Sequence, residues 1–231
     1  MCGRFVATNS AAQLAAFFET SPDGPDLESN YNVAPTTDVI GVVSDADGQR
    51  RLEAFRWGLV PSWADDVRIG SRMINARAET LGEKPSFRRP LQRTRLIIPM
   101  DGFYEWRTTP TGKQPVYIHG ADGSPLAVAG LWTTWRDPSC PPDEGWLHSC
   151  TVITTAANGT MRPVHDRMPV LLDRSRWTEW LDPANHDVSS LRELLVPAAD
   201  DLLVMHRVGT EVNSVRNRGP HLREPVGELD L

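Results

Sequence analysis

Prolines and glycines divide this sequence into short segments, and this limits the folds open to it more than any other feature. The 231 residues include 19 prolines and 17 glycines, which lie along the chain as turn residues between short apolar stretches. These stretches are typical of β-strands, and they do not alternate regularly with helices as a parallel doubly wound sheet requires. We therefore predict one α+β domain over residues 1–231, with a mainly antiparallel, barrel-like β core and peripheral helices.

Local patterns place the individual elements. Ser10 and Gln13 have the spacing of a capping box ahead of an apolar run, which predicts a helix there. Asp47 and Gly48 form a typical hairpin turn between two strands. The predicted strands cover residues 38–44, 50–57, 95–99, 102–106, 115–119, 126–132, 150–155, 168–172 and 202–208, and further helices cover residues 174–181 and 188–195.

Composition and charge fit a folded protein without a membrane segment. Apolar residues make up 40% of the chain, but the longest apolar run, residues 126–132, is far shorter than the roughly 18 residues of a membrane helix. The first residues lack the basic and apolar regions of a secretory signal, so we expect a cytoplasmic location, at the nucleoid in a bacterium. The cysteines are Cys2, Cys140 and Cys150, an odd number without zinc-ligand spacing. We therefore expect no disulfide framework, no metal site and no cofactor.

The positive charge is concentrated in one part of an acidic chain. The formal net charge is −6, yet residues 68–107 contain nine basic and four acidic side chains. This local excess can give one cationic face suited to a phosphate backbone, or a solvated surface with internal ion pairs. Trp63 lies just ahead of this stretch and Trp106 within it, and either ring can stack on an unpaired base.

The second residue is the most informative for chemistry. Removal of Met1 would leave Cys2 with a free α-amine next to its thiol. These two groups ionise near pH 8, so reactive forms of both exist close to neutral pH. Such a 1,2-aminothiol condenses with an aldehyde to an imine, which the sulfur closes to a five-membered thiazolidine. The alternative is a cysteine without function at a frayed terminus, although the strand-like residues 3–6 favour a terminus tied into a sheet.

Three further segments place polar residues in unusual contexts. Asn75 and Arg77 are two residues apart, so both can face one side of an extended segment. Glu105 lies among aromatic residues, where desolvation raises a carboxyl pKa and suits proton transfer. His165 has the side chain best matched to acid–base chemistry near neutral pH. Each also has a simpler interpretation: Asn75 as a helix cap, Glu105 as an arginine partner, and His165 as a hydrogen-bonded loop residue.

Taken together, these segments resemble the SOS-response-associated peptidase (SRAP) family, whose members are also called abasic site processing proteins. The resemblance runs in register over nearly the whole chain, up to residues 212–217. The matching stretches are Met-Cys-Gly-Arg-Phe at 1–5, Tyr-Asn-Val-Ala-Pro at 31–35, Arg-Trp-Gly-Leu-Val-Pro-Ser-Trp at 56–63, Ile-Asn-Ala-Arg-Ala-Glu-Thr at 74–80, Asp-Gly-Phe-Tyr-Glu-Trp at 101–106, Ala-Gly-Leu-Trp at 129–132 and His-Asp-Arg-Met-Pro at 165–169.

The resemblance implies that Cys2, after loss of Met1, forms a covalent thiazolidine with an abasic site in single-stranded DNA. It further implies autocatalytic removal of Met1 by a cysteine peptidase activity, with abasic-site crosslinking and lyase-like chemistry. We expect a monomer whose partner is single-stranded DNA containing abasic sites. The implied catalytic residues are Cys2, Asn75, Glu105 and His165, and the implied DNA contacts are Arg4, Pro35, Trp63, Arg77, Trp106 and Thr154.

One departure and two alternatives remain. Some relatives carry an arginine a few residues after the Asn-Ala-Arg stretch, where this chain has Lys84-Pro85-Ser86-Phe87, so Lys84 or Arg88 would have to supply that phosphate contact. One alternative function is a cysteine hydrolase that cleaves peptides in trans, with Cys2 as nucleophile and His165 as base. The other is a non-covalent reader of single-stranded or modified DNA that uses the basic residues of 68–107.

Overall fold

The structure is a computed structural model that describes residues 2–229. The strands in this range are β1 (Phe5–Ala7), β2 (Asn30–Val33), β3 (Asp38–Ser44), β4 (Arg50–Trp57), β5 (Asn75–Arg77), β6 (Arg95–Met100), β7 (Gly102–Thr109), β8 (Gly112–Gly120), β9 (Leu126–Arg136), β10 (Trp146–Ala156), β11 (Arg167–Pro169) and β12 (Leu203–Arg207). The α-helices there are α1 (Ala11–Phe18), α2 (Pro85–Arg93), α3 (Trp177–Leu181) and α4 (Val188–Glu193).

Five of the strands close into a barrel. The hydrogen-bonded order β10-β4-β3-β6-β9 returns to β10 because β9 and β10 also pair along most of their length. The pairing of β10 with β4 is parallel, whereas the other four contacts of the ring are antiparallel. The carboxyl-terminal half of β10 extends past the ring and pairs with β5 in parallel and with β11 antiparallel. The strand β10 therefore connects the barrel to the segments that carry Asn75 and His165.

A second sheet, β12-β8-β7-β1-β2, covers the barrel and is antiparallel throughout. The amino-terminal strand β1 lies inside this sheet: Phe5 pairs with Val33 on β2 and with Phe103 on β7. The ring of Phe5 packs against the barrel residue Trp57, with ring centroids 5.0 Å apart. Residues 5–7 are thus fixed within the second sheet and packed against the barrel.

The apolar core has two main parts because strand side chains alternate between faces. On β6, Leu96 and Ile98 belong to one cluster, which also contains Cys2, Phe5 and Trp57. The intervening residue of β6 belongs to the other cluster, which contains the buried residues of α1, α2 and α3. Burial on both faces explains why residues 96–100 of this strand are continuously apolar.

The predicted fold class is confirmed: the chain is α+β, with a barrel-like β core and helices at its periphery. The strands predicted at residues 38–44 and 50–57 have the predicted bounds, and the capping box at Ser10 is present. The helix α2 was not predicted. Its interior proline is unfavourable in a helix, yet Phe87, Pro90 and Leu91 have the spacing of one helical face and are buried on one side of it.

Two glycines hold the segment that leads from β4 towards β5. Gly58 has φ 127°, a value that favours glycine, and its amide donates to the Cys150 carbonyl at 2.8 Å. A Cβ atom at Gly58 would lie 2.7 Å from the Gly70 carbonyl oxygen. The close approach of these two backbones therefore excludes side chains at this point.

Within residues 2–229, no helix is long and apolar enough to cross a membrane.

We predict that Gly58→Ala lowers the free energy of unfolding by about 2 kcal/mol, since it adds both backbone strain and a clash with Gly70. For a chain of this size, the melting temperature should fall by roughly 4–8 °C in a thermal unfolding experiment. Gly48→Ala is the matched control, because Gly48 has φ 78° but no atom within 4 Å of an added Cβ. Equal losses in the two variants would show that the contact with Gly70 contributes nothing.

Candidate active site and DNA-binding surface

Cys2 lies in the interior, with 1% of its surface exposed. It belongs to the apolar cluster that contains Phe5, Trp57 and Val164. Burial raises the pKa of the Cys2 thiol far above its usual range, and the negative charge of Glu105 raises it further. The thiol is therefore protonated at neutral pH and needs a proton acceptor before it can act as a nucleophile. Met1, whose removal the resemblance implies, lies outside the described residues.

Asn75 contacts Cys2 directly. Its Nδ2 atom donates to the Cys2 carbonyl oxygen at 2.8 Å. The parallel pairing of β5 with β10 fixes its position, and the indole of Trp57 supports it by donating to the neighbouring Ile74 carbonyl at 2.9 Å. The Oδ1 atom of Asn75 is buried and has no hydrogen-bond partner among residues 2–229. Asn75 is thus a strand residue, which excludes the helix-cap interpretation, and it offers a free acceptor beside Cys2.

Glu105 is a buried carboxylate on β7, with 4% of its surface exposed. The amide of Tyr104 donates to the Arg4 carbonyl at 2.9 Å, which continues the pairing of β1 with β7 towards the start of the chain. This register places Glu105 opposite the residues next to Cys2, in agreement with its electrostatic effect on that thiol. Charge and backbone geometry thus bring the predicted Glu105 and Cys2 together.

His165 lies in the turn before β11. Its Nδ1 atom is 2.9 Å from the Arg167 amide and 2.8 Å from Asp166 Oδ1. A neutral imidazole that accepts from the Arg167 amide carries its proton on Nε2, whereas an imidazolium donates from Nδ1 to Asp166. His165 follows Val164, which packs in the same apolar cluster as Cys2. The turn is therefore anchored in the core around Cys2 while its imidazole remains partly accessible.

A clamp that was not predicted holds these segments together. Arg167 donates to both carboxylate oxygens of Glu79, at 2.6 and 2.9 Å, and to the Thr154 carbonyl at 2.6 Å. It therefore links β11 to β10 and to the turn after β5. Thr154, a predicted DNA contact, is fully buried, so its hydroxyl would have to become accessible to meet a strand. Glu79 and Arg167 both lie inside the family motifs quoted above, and this position was the only sequence feature that could have indicated their importance.

The other predicted DNA contacts differ in exposure. Arg77 is exposed at the end of β5, and Pro35 is half-buried after β2. Trp63, with 59% of its surface exposed, borders a cleft of about 640 Å³ that Arg89 and Arg93 of α2 also line. The roles of these residues in DNA binding remain predictions.

The basic residues of 68–107 do not all contribute to one face. Arg95 is buried and donates to the carbonyl oxygens of Leu91, Trp180 and Asp182. Desolvation lowers the pKa of Arg95 to about 10. This arginine is therefore structural, and the cationic surface consists of its exposed neighbours. In residues 2–229, no group of histidine, cysteine and acidic side chains is arranged to hold a metal ion.

Comparison with known proteins assigns the family. The model of the family described as SOS response associated peptidase (SRAP) matches residues 1–215. The chain belongs to the SRAP family. This SRAP chain is 43% identical over 228 residues to the abasic site processing protein YoqW of Bacillus subtilis (strain 168), covering 97% of this chain and 99% of that protein.

More distant relatives carry the same descriptive name. The abasic site processing protein YedK of Escherichia coli (strain K12) is 32% identical over 234 residues, covering 98% of this SRAP chain and all of that protein. A solved crystal structure of a protein from Bacteroides thetaiotaomicron has a TM-score of 0.85 at 25% identity, covering 97% of this chain and 100% of that one. The barrel and its covering sheet are therefore shared across wide sequence divergence.

The ion pair between Glu79 and Arg167 generates a prediction about pH. The Arg167 guanidinium holds the pKa of the Glu79 carboxyl below its usual value. The stabilisation by this ion pair is therefore complete above the ordinary glutamate pKa. It is lost as the pH falls through the lower pKa that Glu79 has in the folded chain. Glu79 is half exposed, so we expect Glu79→Gln to lower the free energy of unfolding by only about 0.5–1 kcal/mol at pH 7.

Urea unfolding at pH 7 and near pH 3 measures this effect. The difference between the wild-type chain and Glu79→Gln should shrink as the pH falls, because protonation of the Glu79 carboxyl removes its charge from the ion pair. The control is Glu28→Gln, which removes the same charge at an exposed position outside this ion pair. A difference that stays constant with pH would contradict the assigned ion pair.

Proposed function

We propose that this SRAP chain captures abasic sites in single-stranded DNA as a covalent thiazolidine, formed by Cys2 after Met1 is removed. The observation that carries the proposal is the position of Cys2. Its carbonyl oxygen accepts a hydrogen bond from Asn75, and its thiol lies within the electrostatic influence of the buried Glu105 carboxylate. The names of the relatives support DNA with abasic sites as the substrate class.

The chemistry requires two bonds to one carbon. An abasic deoxyribose opens to an aldehyde at C1′, and the α-amine of Cys2 adds to this carbon. Loss of one water molecule gives an imine. The sulfur then adds to the same carbon, and the thiol proton is transferred to the nitrogen, which closes the ring. An imine that is not closed acidifies the neighbouring C2′ position, so strand cleavage by elimination is the lyase-like side reaction.

The surrounding side chains match the proton transfers in this sequence. In this proposal Glu105, whose charge acts on the buried thiol, accepts the thiol proton. His165 would exchange a proton through its Nε2 atom while Nδ1 is hydrogen-bonded. The free Oδ1 of Asn75 can accept a hydrogen bond from the α-amine or a sugar hydroxyl and so orient the reacting atoms.

Recognition of the strand follows from groups that do not read bases. Arg4 and Arg77 would bind phosphates, while Pro35, Trp63, Trp106 and Thr154 would contact sugars and bases. Phosphate contacts and stacking tolerate any sequence, so we expect little sequence preference. We infer a monomer that acts where single strands of chromosomal DNA occur, in the cytoplasm or at the bacterial nucleoid.

The same site would remove Met1, which accounts for the peptidase activity in the family description. Cleavage of other peptides in trans fits less well. A cysteine peptidase needs a thiolate of lowered pKa in an accessible cleft, whereas Cys2 is buried and its pKa is raised. Autocatalysis avoids the problem of substrate access, because Cys2 is itself part of the peptide bond to be cleaved.

The direct test is adduct formation between the purified chain and single-stranded DNA with one abasic site. We expect a denaturation-resistant band for the wild-type chain and none for Cys2→Ala, with Cys150→Ala as the matched control, since Cys150 is equally buried. Mass spectrometry of the adducted peptide should show loss of Met1 and attachment through both nitrogen and sulfur.

Three outcomes would contradict the proposal. An adduct in Cys2→Ala would exclude this residue, and Met1 retained on reactive protein would exclude the free amine. Binding that denaturant fully reverses would favour the non-covalent DNA reader.

A separate prediction concerns Glu105. Glu105→Gln keeps the shape of the side chain but removes the proton acceptor next to the thiol, so adduct formation should slow by about 10²-fold at neutral pH. Time courses at saturating DNA measure this rate, and gel shifts under native conditions should show unchanged binding. A rate within twofold of the wild-type chain would remove Glu105 from the proton transfers.

A further inference from the structure

A buried asparagine connects the amino-terminal strand to a loop near the carboxyl end of the chain. Asn32 on β2 has only 3% of its surface exposed. Its Oδ1 atom accepts from Arg4 Nη1 at 2.7 Å, and its Nδ2 atom donates to the carbonyl oxygens of Ser214 at 2.9 Å and Asn217 at 3.1 Å. Because donors and acceptor all have partners, the orientation of this amide is fixed.

The amide of Asn32 holds Arg4 only through the Nη1 atom of its guanidinium. Its Nη1 atom also donates to the Val212 carbonyl at 3.0 Å, whereas its Nε atom is buried without a partner among residues 2–229. No carboxylate of residues 2–229 forms an ion pair with Arg4, so none of these residues compensates its charge by an ion pair. Burial lowers the pKa of Arg4, which reflects the cost of keeping this cation partly desolvated. An anion that accepts from the free edge of the guanidinium would remove that cost.

The same loop holds a second group next to Arg4. The indole Nε1 of Trp106 donates to Asn213 Oδ1 at 2.6 Å. The guanidinium carbon of Arg4 lies 5.8 Å from the centre of the Trp106 ring, which is within cation–π distance. Residues 210–217 thus fix both the cation, through Asn32 and Val212, and the aromatic ring, through Asn213.

We propose that Asn32 is a positioning residue that, together with residues 210–217, holds Arg4 and Trp106 as a preformed seat for one backbone phosphate and its neighbouring nucleotide. This inference rests on the proposed function for the nature of the ligand, a single strand of DNA. It assigns to Asn32 an effect on strand binding that is transmitted entirely through Arg4. A preformed seat reduces the ordering cost of binding, so its loss weakens affinity more than it slows chemistry.

The test is a double-mutant cycle with Asn32→Leu and Arg4→Ala, measured as the affinity for intact single-stranded DNA at several salt concentrations. Asn32→Leu should weaken binding about 10-fold and reduce the salt slope by roughly 0.7, the value for one phosphate contact on a single strand. In the Arg4→Ala background, Asn32→Leu should have no further effect. With abasic DNA, the half-saturating concentration should rise while the adduct rate at saturation stays within about twofold.

A milder variant guards against loss of folding. Asn213 is exposed, so Asn213→Ala should leave the melting temperature unchanged and weaken binding about threefold through Trp106 alone. Capture of the small aldehyde glycolaldehyde by Cys2 should be unchanged in both variants, which would show that the amino terminus is intact.

Two results would overturn the inference: wild-type affinity and salt slope in either folded variant, or additive losses in the cycle with Arg4→Ala. The proposed function fails separately, if the wild-type chain binds single strands in an Asn32-dependent way but forms no adduct.

Discussion

The pairing of β1 on both of its edges is the constraint from which the site geometry follows. A chain terminus is ordinarily free to move, but here a three-residue strand lies between β2 and β7. The ring of Phe5 then packs on Trp57, and the indole of Trp57 bonds to the Ile74 carbonyl. One aromatic side chain therefore fixes the distance between Cys2 and Asn75, which come from segments more than seventy residues apart.

Several polar and ionisable groups are buried around this terminus, and their desolvation costs free energy that an apolar core does not lose. The Cys2 thiol, the Arg4 guanidinium and the Glu105 carboxylate on the paired strand β7 are all desolvated. The Oδ1 of Asn75 and the Nε of Arg4 are buried without partners among the described residues. An unsatisfied buried polar atom costs about 1–3 kcal/mol. The two apolar clusters offset this cost, and a bound ligand that supplies a donor to Asn75 and an acceptor to Arg4 would recover it.

The fold class and one part of the site could be predicted from the sequence. Prediction failed for the features that depend on long-range contacts. The strands at 38–44 and 50–57 were predicted to their bounds because an Asp-Gly turn separates a stretch rich in valine and isoleucine from a second stretch that contains two aromatic residues. The helix α2 was missed since Pro90 interrupts its pattern and burial against β9 stabilises it. Asn32 lies inside the motif at 31–35, but its role could not be predicted because its partners Ser214 and Asn217 lie more than 180 residues away. A local pattern cannot show such pairs.

In the proposed mechanism, burial of the Cys2 thiol next to Glu105 favours one order of bond formation. A thiolate would attack an aldehyde at once and reversibly, giving a hemithioacetal that dissociates as easily as it forms. A thiol kept protonated by burial and by Glu105 leaves the first attack to the α-amine. The imine nitrogen that results is basic, and once protonated it makes the C1′ carbon a stronger electrophile than the aldehyde was. We infer that the thiol proton then passes through Glu105 to this nitrogen, so that the buried carboxylate would suppress the early sulfur reaction and promote the ring closure.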